Sequence, residues 1–179
     1  MSNLKDLPVG ERAPEEVGAV IEIPKGTHVK IEYDVRLEVF KVDRVLYSAV
    51  HYPTAYGFIP GTLWDDGDPL DVLVLTEELL QTGLFLQVRP VGILIMTDEK
   101  GSDSKILAVP VHDPRYSDVK EINDVPGHFL REAEHFFETY KELEGKEVKS
   151  FGWEQNRDAR TAILKAMKAY EAAHSLSKH

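Results

Sequence analysis

The sequence predicts a mainly β (α+β) fold, a small closed β-barrel with two C-terminal helices packed on it. Three observations carry this expectation. The first two-thirds of the chain reads as short strands separated by Gly and Pro. The last third carries apolar residues at helical spacing. The 179 residues, 42% hydrophobic and 29% charged, suit a single domain spanning 1–179 with a sizeable core.

Each element follows from its own pattern. "AVIEIP" (19–24) alternates, with Glu22 opposite Ile21 and Ile23. "HVKIEYDV" (28–35) places Val29, Ile31, Tyr33 and Val35 on one face and His28, Lys30, Glu32 and Asp34 on the other. "VFKVDRVLY" (39–47), "PLDVLVLT" (69–76), "FLQVRPVGILIMTD" (85–98) and "SKILAVPV" (104–111) continue the series. "DEKGSDSK" (98–105) reads as a hairpin turn with Lys100-Gly101 near its tip. In "GHFLREAEHFFETYKELEG" (127–145), Phe129, Ala133, Phe136, Phe137, Tyr140 and Leu143 fall three and four apart, and Gly145 suits a C-terminal cap. A second helix is expected from Asn156, a good N-cap, carrying Ile163, Leu164, Met167 and Tyr170.

Charge and composition exclude several functions. Lys+Arg 21 against Asp+Glu 31 leaves −10, which argues against a nucleic-acid backbone or an anionic membrane as partner. A small anionic substrate remains compatible if metals mediate. There is no cysteine, hence no disulfide framework and no thiolate metal site. "MSNLKDLPVG" has no apolar signal region, and "VGILIM" (91–96) is too short to span a membrane, so a cytoplasmic protein is expected.

The chemistry concentrates in "DDGDPLDVLV" (65–74), which gathers Asp65, Asp66, Asp68 and Asp71. At ~5 Å and an effective dielectric of ~20, each ionised pair costs about 3 kcal/mol, so divalent cations are the natural compensation. Gly67 permits a tight turn, Pro69 stiffens the exit, and Asp71 opens a strand. Carboxylate oxygens suit magnesium. An acidic Asp-Gly turn in solvent is the competing explanation. A second cluster, Asp98, Glu99 and Asp103, surrounds the next turn, with Lys105 one alternation further on. Two such turns at strand ends suggest a shared multi-metal site, which suits phosphoryl chemistry. Lys30, Glu32, Arg44 and the pair Tyr140-Lys141 add charge and phenol groups, although each cation alone also suits a solvated surface. Tyr52 and Tyr56 in "HYPTAYGFIPGT" (51–62) also suit core positions.

Taken together, "IEIPKG", "KIEYD", "VDR", "YPTAYGFIPGT", "DGDPLDVLV", "RPVGILIMTDE", "SDSKILAVP", "HFFETYKELEGK" and "GWE" resemble, in order, the soluble family I inorganic pyrophosphatases of the short prokaryotic type. The resemblance implies hydrolysis of inorganic diphosphate to two phosphates with magnesium, a role in phosphate metabolism, a five-stranded OB-like barrel, and a homo-hexamer. It implies that Asp66, Asp71 and Asp103 bind the two metals flanking the attacking water, and that Asp98, with Asp103, holds a further one. Glu22, Glu32 and Tyr52 line the site. Lys30, Arg44, Tyr56, Lys105, Tyr140 and Lys141 bind phosphate, and Asp68 is the general base. Manganese or zinc are expected substitutes. Calcium, larger and tolerant of irregular geometry, is expected to bind and inhibit. Ala55 departs from the family's usual Asn before Tyr56.

Three alternatives stay open at this level. One is a phosphohydrolase of the same fold acting on another phosphoanhydride. The others are a non-catalytic nucleic-acid-binding barrel, which the charge of −10 opposes, and a calcium-binding module.

Overall fold

The alternation at 85–98 becomes a 14-residue strand, β6 (Phe85–Asp98), around which the main sheet is organised. The computed structural model describes residues 3–176. Before β6 come β1 (Val17–Ile23), β2 (Val29–Asp34), β3 (Val39–Val45), β4 (Ala55–Phe58) and β5 (Asp71–Val74). After it come β7 (Gly101–Ser102), β8 (Lys105–Pro110), α1 (Gly127–Thr139), β9 (Lys149–Gln155) and α2 (Asn156–Leu176).

β1 pairs with β4, β4 with β5, β5 with β8, β8 with β6, and β6 with β1 again, so five strands form a cycle of hydrogen-bonded neighbours. β7 and β9 extend the sheet from β6. β2 and β3 form a separate two-stranded sheet. The β5–β8 pair is parallel and sets Asp71 opposite Lys105. The fold is therefore mainly β with two helices, as the sequence predicts.

Strands in the cycle are covered on both faces. On β8, Ile106 and Ala108 belong to one cluster with Val17, Ile21, Val72, Ile93 and the α2 residues Ala159, Ile163 and Ala166. Leu107 and Val109 belong to a second with Ile23, Leu73, Leu94 and the α1 residues Phe136 and Phe137. That two-sided burial explains why 69–76 and 104–111 read as nearly continuous apolar runs. It also reaches β1, where every residue is buried and Glu22 lies inside rather than on a solvent face.

Three elements differ from the sequence expectation. β4 lies inside the Tyr-, Pro- and Gly-rich stretch, whose punctuation hides a four-residue strand. β9 surrounds "GWE", where half-exposed side chains give no clean alternation. α1 stops at Thr139 rather than near Gly145. Lys141 leaves helical geometry (φ −101°, ψ 1°), a 3₁₀ turn spans Glu142–Glu144, and Gly145 closes it at φ +71°. Further 3₁₀ turns lie at Leu4–Asp6, Pro114–Tyr116 and Ile122–Asp124. Among the described residues, no helix is long and apolar enough to cross a membrane.

Candidate active site

Strand ends and loops from across the chain converge on one polar cavity of about 220 Å³. Its charged lining includes Lys5 from the N-terminal segment, Glu22 from β1, Lys30 and Glu32 from β2, Asp66 and Asp68 from the loop before β5, Asp71 opening β5, Asp98 closing β6 and Lys100 in the turn after it. Asp103 and Lys105 add to it from the start of β8, and Lys141 from the end of α1. Tyr56 and Tyr140 also line it.

Local rules aim these groups. Asp66 Oδ1 accepts the backbone N–H of Asp68 at 3.0 Å, and Gly67 between them sits at φ +89°. Asp98 Oδ1 accepts the N–H of Lys100 at 2.8 Å. In both turns the aspartate shapes the loop it occupies. Asp103, just before β8, and Lys105, which opens it, both turn to the cavity and bond each other. The early end of α1 places Tyr140 and Lys141 at its C-terminus, both buried.

Lys105 is the centre of the electrostatics. It is 1% exposed, and its Nζ donates to Asp71 Oδ2 and Asp103 Oδ1, each at 2.9 Å. The ring centroids of Phe137 and Tyr56 lie 5.1 and 5.5 Å away. Burial pushes its ammonium down, but Asp71 and Asp103 outweigh this and the net shift is upward. Lys141 Nζ donates to Asp98 at 3.0 Å. Burial would raise Asp98, yet the Lys100 N–H and the Lys141 ammonium hold it below its ordinary value. Lys30 bonds Glu32 and lies 3.6 Å from Asp43. Lys5 bonds Asp68 at 2.9 Å.

Two acids are pushed the other way. Burial raises Glu22 from an ordinary 4.5 to about 8, although it accepts the N–H of Tyr33; Asp71 and Glu32 add to the rise. Asp66 is raised by partial burial first and by Asp71, Asp68 and Asp103 after it. Burial also raises the Tyr52, Tyr56 and Tyr140 phenols, keeping them neutral donors.

Fourteen residues predicted for the site thus fall into two groups. Twelve line the cavity. Arg44 and Tyr52 do not. Arg44 is turned to a bidentate pair with Glu144 and to Asp43. Tyr52 is 2% exposed and packs behind Tyr56, ring centroids 5.7 Å apart, and against Phe136. Ala55 is fully buried in the apolar cluster beneath β4. Lys5, a lone lysine 63 positions from Asp68, and Glu144, 100 from Arg44, leave no sign of their roles in local sequence.

The donors are hard oxygens of the kind that magnesium takes. Among the described residues, no three His, Cys, Asp or Glu converge closely enough to hold a metal by themselves. The reason is visible: ammonium groups stand between the carboxylates. Asp71 and Asp103 already share one cation, the Lys105 Nζ, so the pair can bracket positive charge. The donor set fits divalent metals in chemistry and in its shared-cation arrangement. The cavity is small beside the roughly 300–1,000 Å³ typical of sites for drug-sized ligands. It suits a small, highly charged anion accompanied by cations.

Known proteins resemble this chain in sequence and fold. A family model for inorganic pyrophosphatase matches residues 19–171. The inorganic pyrophosphatase of Sulfolobus acidocaldarius is 52% identical over 165 residues, 90% of this chain and 95% of that one. The crystal structure of inorganic pyrophosphatase from Thermus thermophilus superposes with a TM-score of 0.92 at 48% identity, covering 95% of this chain and 99% of that one. The Helicobacter pylori inorganic pyrophosphatase does so at 0.88 and 46%, covering 92% and 98%. With relatives this similar along nearly the whole length, and a cavity built of carboxylates and lysines, this chain belongs to the inorganic pyrophosphatase family.

Proposed function

We propose that this chain hydrolyses inorganic diphosphate to two orthophosphates with magnesium. The observation that carries the proposal is the alternation of acids and ammonium groups in one small cavity. Diphosphate is multiply anionic, and a purely acidic cleft would repel it. Here Lys30, Lys105 and Lys141 stand among the carboxylates and can turn to phosphate oxygens when cations take the carboxylates over. Asp66, Asp71, Asp98 and Asp103 would hold magnesium. Bound there, the metal ions supply positive charge to the phosphates and acidify water.

In this scheme Asp68 accepts the proton of the attacking water. Its side chain is 63% exposed, so water reaches it. Lys105, Lys141 and Lys30 neutralise phosphate oxygens, and Tyr56 and Tyr140 donate from neutral phenols. Arg44 joins them by exchanging Glu144 for a phosphate oxygen, a like-for-like swap of one anionic partner for another. Glu22 and Glu32 line the site, and Tyr52 supports Tyr56 from behind.

Beyond the site, the cycle of five paired strands supports a five-stranded OB-like closed barrel, and buried clusters on both faces of that one sheet support one domain over 1–179. Family resemblance supports a cytoplasmic homo-hexamer, and exposed apolar side chains such as Leu37 (63%), Val42 (61%) and Tyr47 (65%) offer contact surface. Phosphate release from diphosphate is the test. Magnesium should support turnover, manganese or zinc should substitute, and calcium should bind yet inhibit, because it takes more ligands at longer distances. Turnover with calcium alone comparable to that with magnesium would overturn the metal assignment. Faster release from a nucleoside triphosphate than from diphosphate would favour a different phosphoanhydride substrate.

A further inference from the structure

We infer that Lys5, delivered by the N-terminal segment, is a positioning residue for Asp68. The inference rests on the proposed role of Asp68 as the base and goes beyond it. Lys5 lines the same cavity as the acids and lysines above. Its Nζ bonds Asp68 Oδ1 at 2.9 Å, and among the described residues this is the side-chain partner of the Asp68 carboxylate. The backbone at Asp68 is fixed by other means. Its N–H donates to Asp66, and its carbonyl accepts the Trp64 N–H at 2.7 Å. The carboxylate itself, 63% exposed, depends on Lys5 for its direction. A base must meet its water within hydrogen-bond reach.

The lysine is held as an anchor should be. Its own backbone is tied at both ends: the N–H donates to Asn3 Oδ1 at 3.0 Å, and the carbonyl accepts the Gly61 N–H at 2.9 Å. Leu4 and Leu7 on either side pack against Val20, Tyr33 and Phe58. Asp6 accepts the Tyr170 hydroxyl of α2 at 2.7 Å. Gly61, at φ +67°, lets the segment approach closely: a Cβ there would lie 3.2 Å from the Leu7 carbonyl. Only the side chain of Lys5 then remains to be oriented, and it is 24% exposed.

An exposed ion pair of this kind adds little to stability, so loss of Lys5 should leave the unfolding midpoint nearly unchanged. Its effect should appear in the chemical step. Misplacement by about 1 Å can cost on the order of 10²-fold. Lys5→Met, which keeps the apolar stem, should lower kcat between about 10- and 100-fold, with KM for diphosphate and the magnesium dependence little changed. Lys5→Arg should recover most of the loss. In an Asp68→Asn background, Lys5→Met should have no further effect, because a residue acting through Asp68 has nothing left to position. A crystal structure of Lys5→Met should show the Asp68 carboxylate displaced or in several conformers. Full effect of Lys5→Met in the Asp68→Asn background overturns the inference, as does a raised KM with kcat intact, which would make Lys5 a substrate cation. An unchanged kcat in Lys5→Met also overturns it. Absence of diphosphate hydrolysis by the unaltered chain, or an undiminished rate in Asp68→Asn, would instead strike the proposed function.

Discussion

Single residues divide the labour inside the cavity, and two of them make distinct predictions. In the proposed scheme Asp66 and Asp71 hold metals and Asp68 removes the proton. Asp68→Asn keeps size and hydrogen bonding but cannot take the proton, so the rate should fall by roughly 10²–10⁴-fold. Its magnesium titration should stay close to that of the parent, whereas Asp71→Asn should need more magnesium. If Asp68→Asn abolishes magnesium binding and spares the saturated rate, Asp68 is a ligand. Glu22 predicts a pH dependence of the chelated protein. Its carboxyl is raised to about 8 by burial, with Asp71 and Glu32 adding to the rise and the Tyr33 N–H and Lys5 opposing it. Below about 4.5 both folded and unfolded chains hold the proton, and Glu22 carries no penalty. Between there and about 8 the unfolded chain releases it while the folded chain retains it, so stability falls as pH rises and then levels out. Thermal unfolding in chelator should show this decline, and Glu22→Gln should flatten it. Most of these residues were legible in the sequence because their spacing betrays them: Asp66 and Asp68 flank one turn with Asp71 just beyond it, and Asp103 and Lys105 lie two apart at the mouth of the next. Lys5 and Glu144 were not, because a lone charge gains meaning only from a partner that the fold brings from 63 or 100 positions away.

Elements set how closely those residues approach. β4 crosses β1 so tightly at Gly57 that a Cβ there would lie 1.9 Å from the Val20 carbonyl oxygen and 2.8 Å from its carbon. Gly57→Ala should therefore break the β1–β4 pairing and destabilise by about 4 kcal/mol or more, the range reserved for severe core or backbone conflicts. Gly127→Ala is the contrasting case. A Cβ there meets the Arg131 guanidinium at an ordinary 3.6 Å, so stability should hold or rise by up to ~1 kcal/mol. Denaturant titration of the two variants checks both; a Gly57→Ala chain as stable as the parent would mean that β1 and β4 do not pair so closely. The strands that alternate cleanly or run wholly apolar (β2, β5, β6, β8) could be read directly. β4 could not, since its four residues are too few for a period and Gly57 is there for lack of a side chain, not for turning. The helix pattern runs past the end of α1 because Leu143 keeps the helical spacing by chance, whereas Tyr140 is the helix's own C-cap. Leu143 is 67% exposed, so little burial is available there to hold the helix on.

At the scale of the whole molecule, the proposed hexamer predicts a single sedimenting species larger than a dimer, at concentrations where activity is measured. A stable, fully active monomer would remove that part of the proposal. The architecture was legible as strands followed by helices, and a closed barrel was the expectation, but which strands pair was not legible, because pairings between β1 and β6 or β5 and β8 leave no trace in local pattern. That cycle of pairings has a kinetic consequence. Asp71 and Lys105 meet through a parallel pair, across 34 positions that include all of β6. Such contacts reward the chain late, after long segments have already been ordered. A refolding chain should regain its helices and the local β2–β3 hairpin first, by circular dichroism. Catalytic competence should return only with the last pairing, so the cavity is born whole at the end of folding and no half-folded chain holds a working fragment of it.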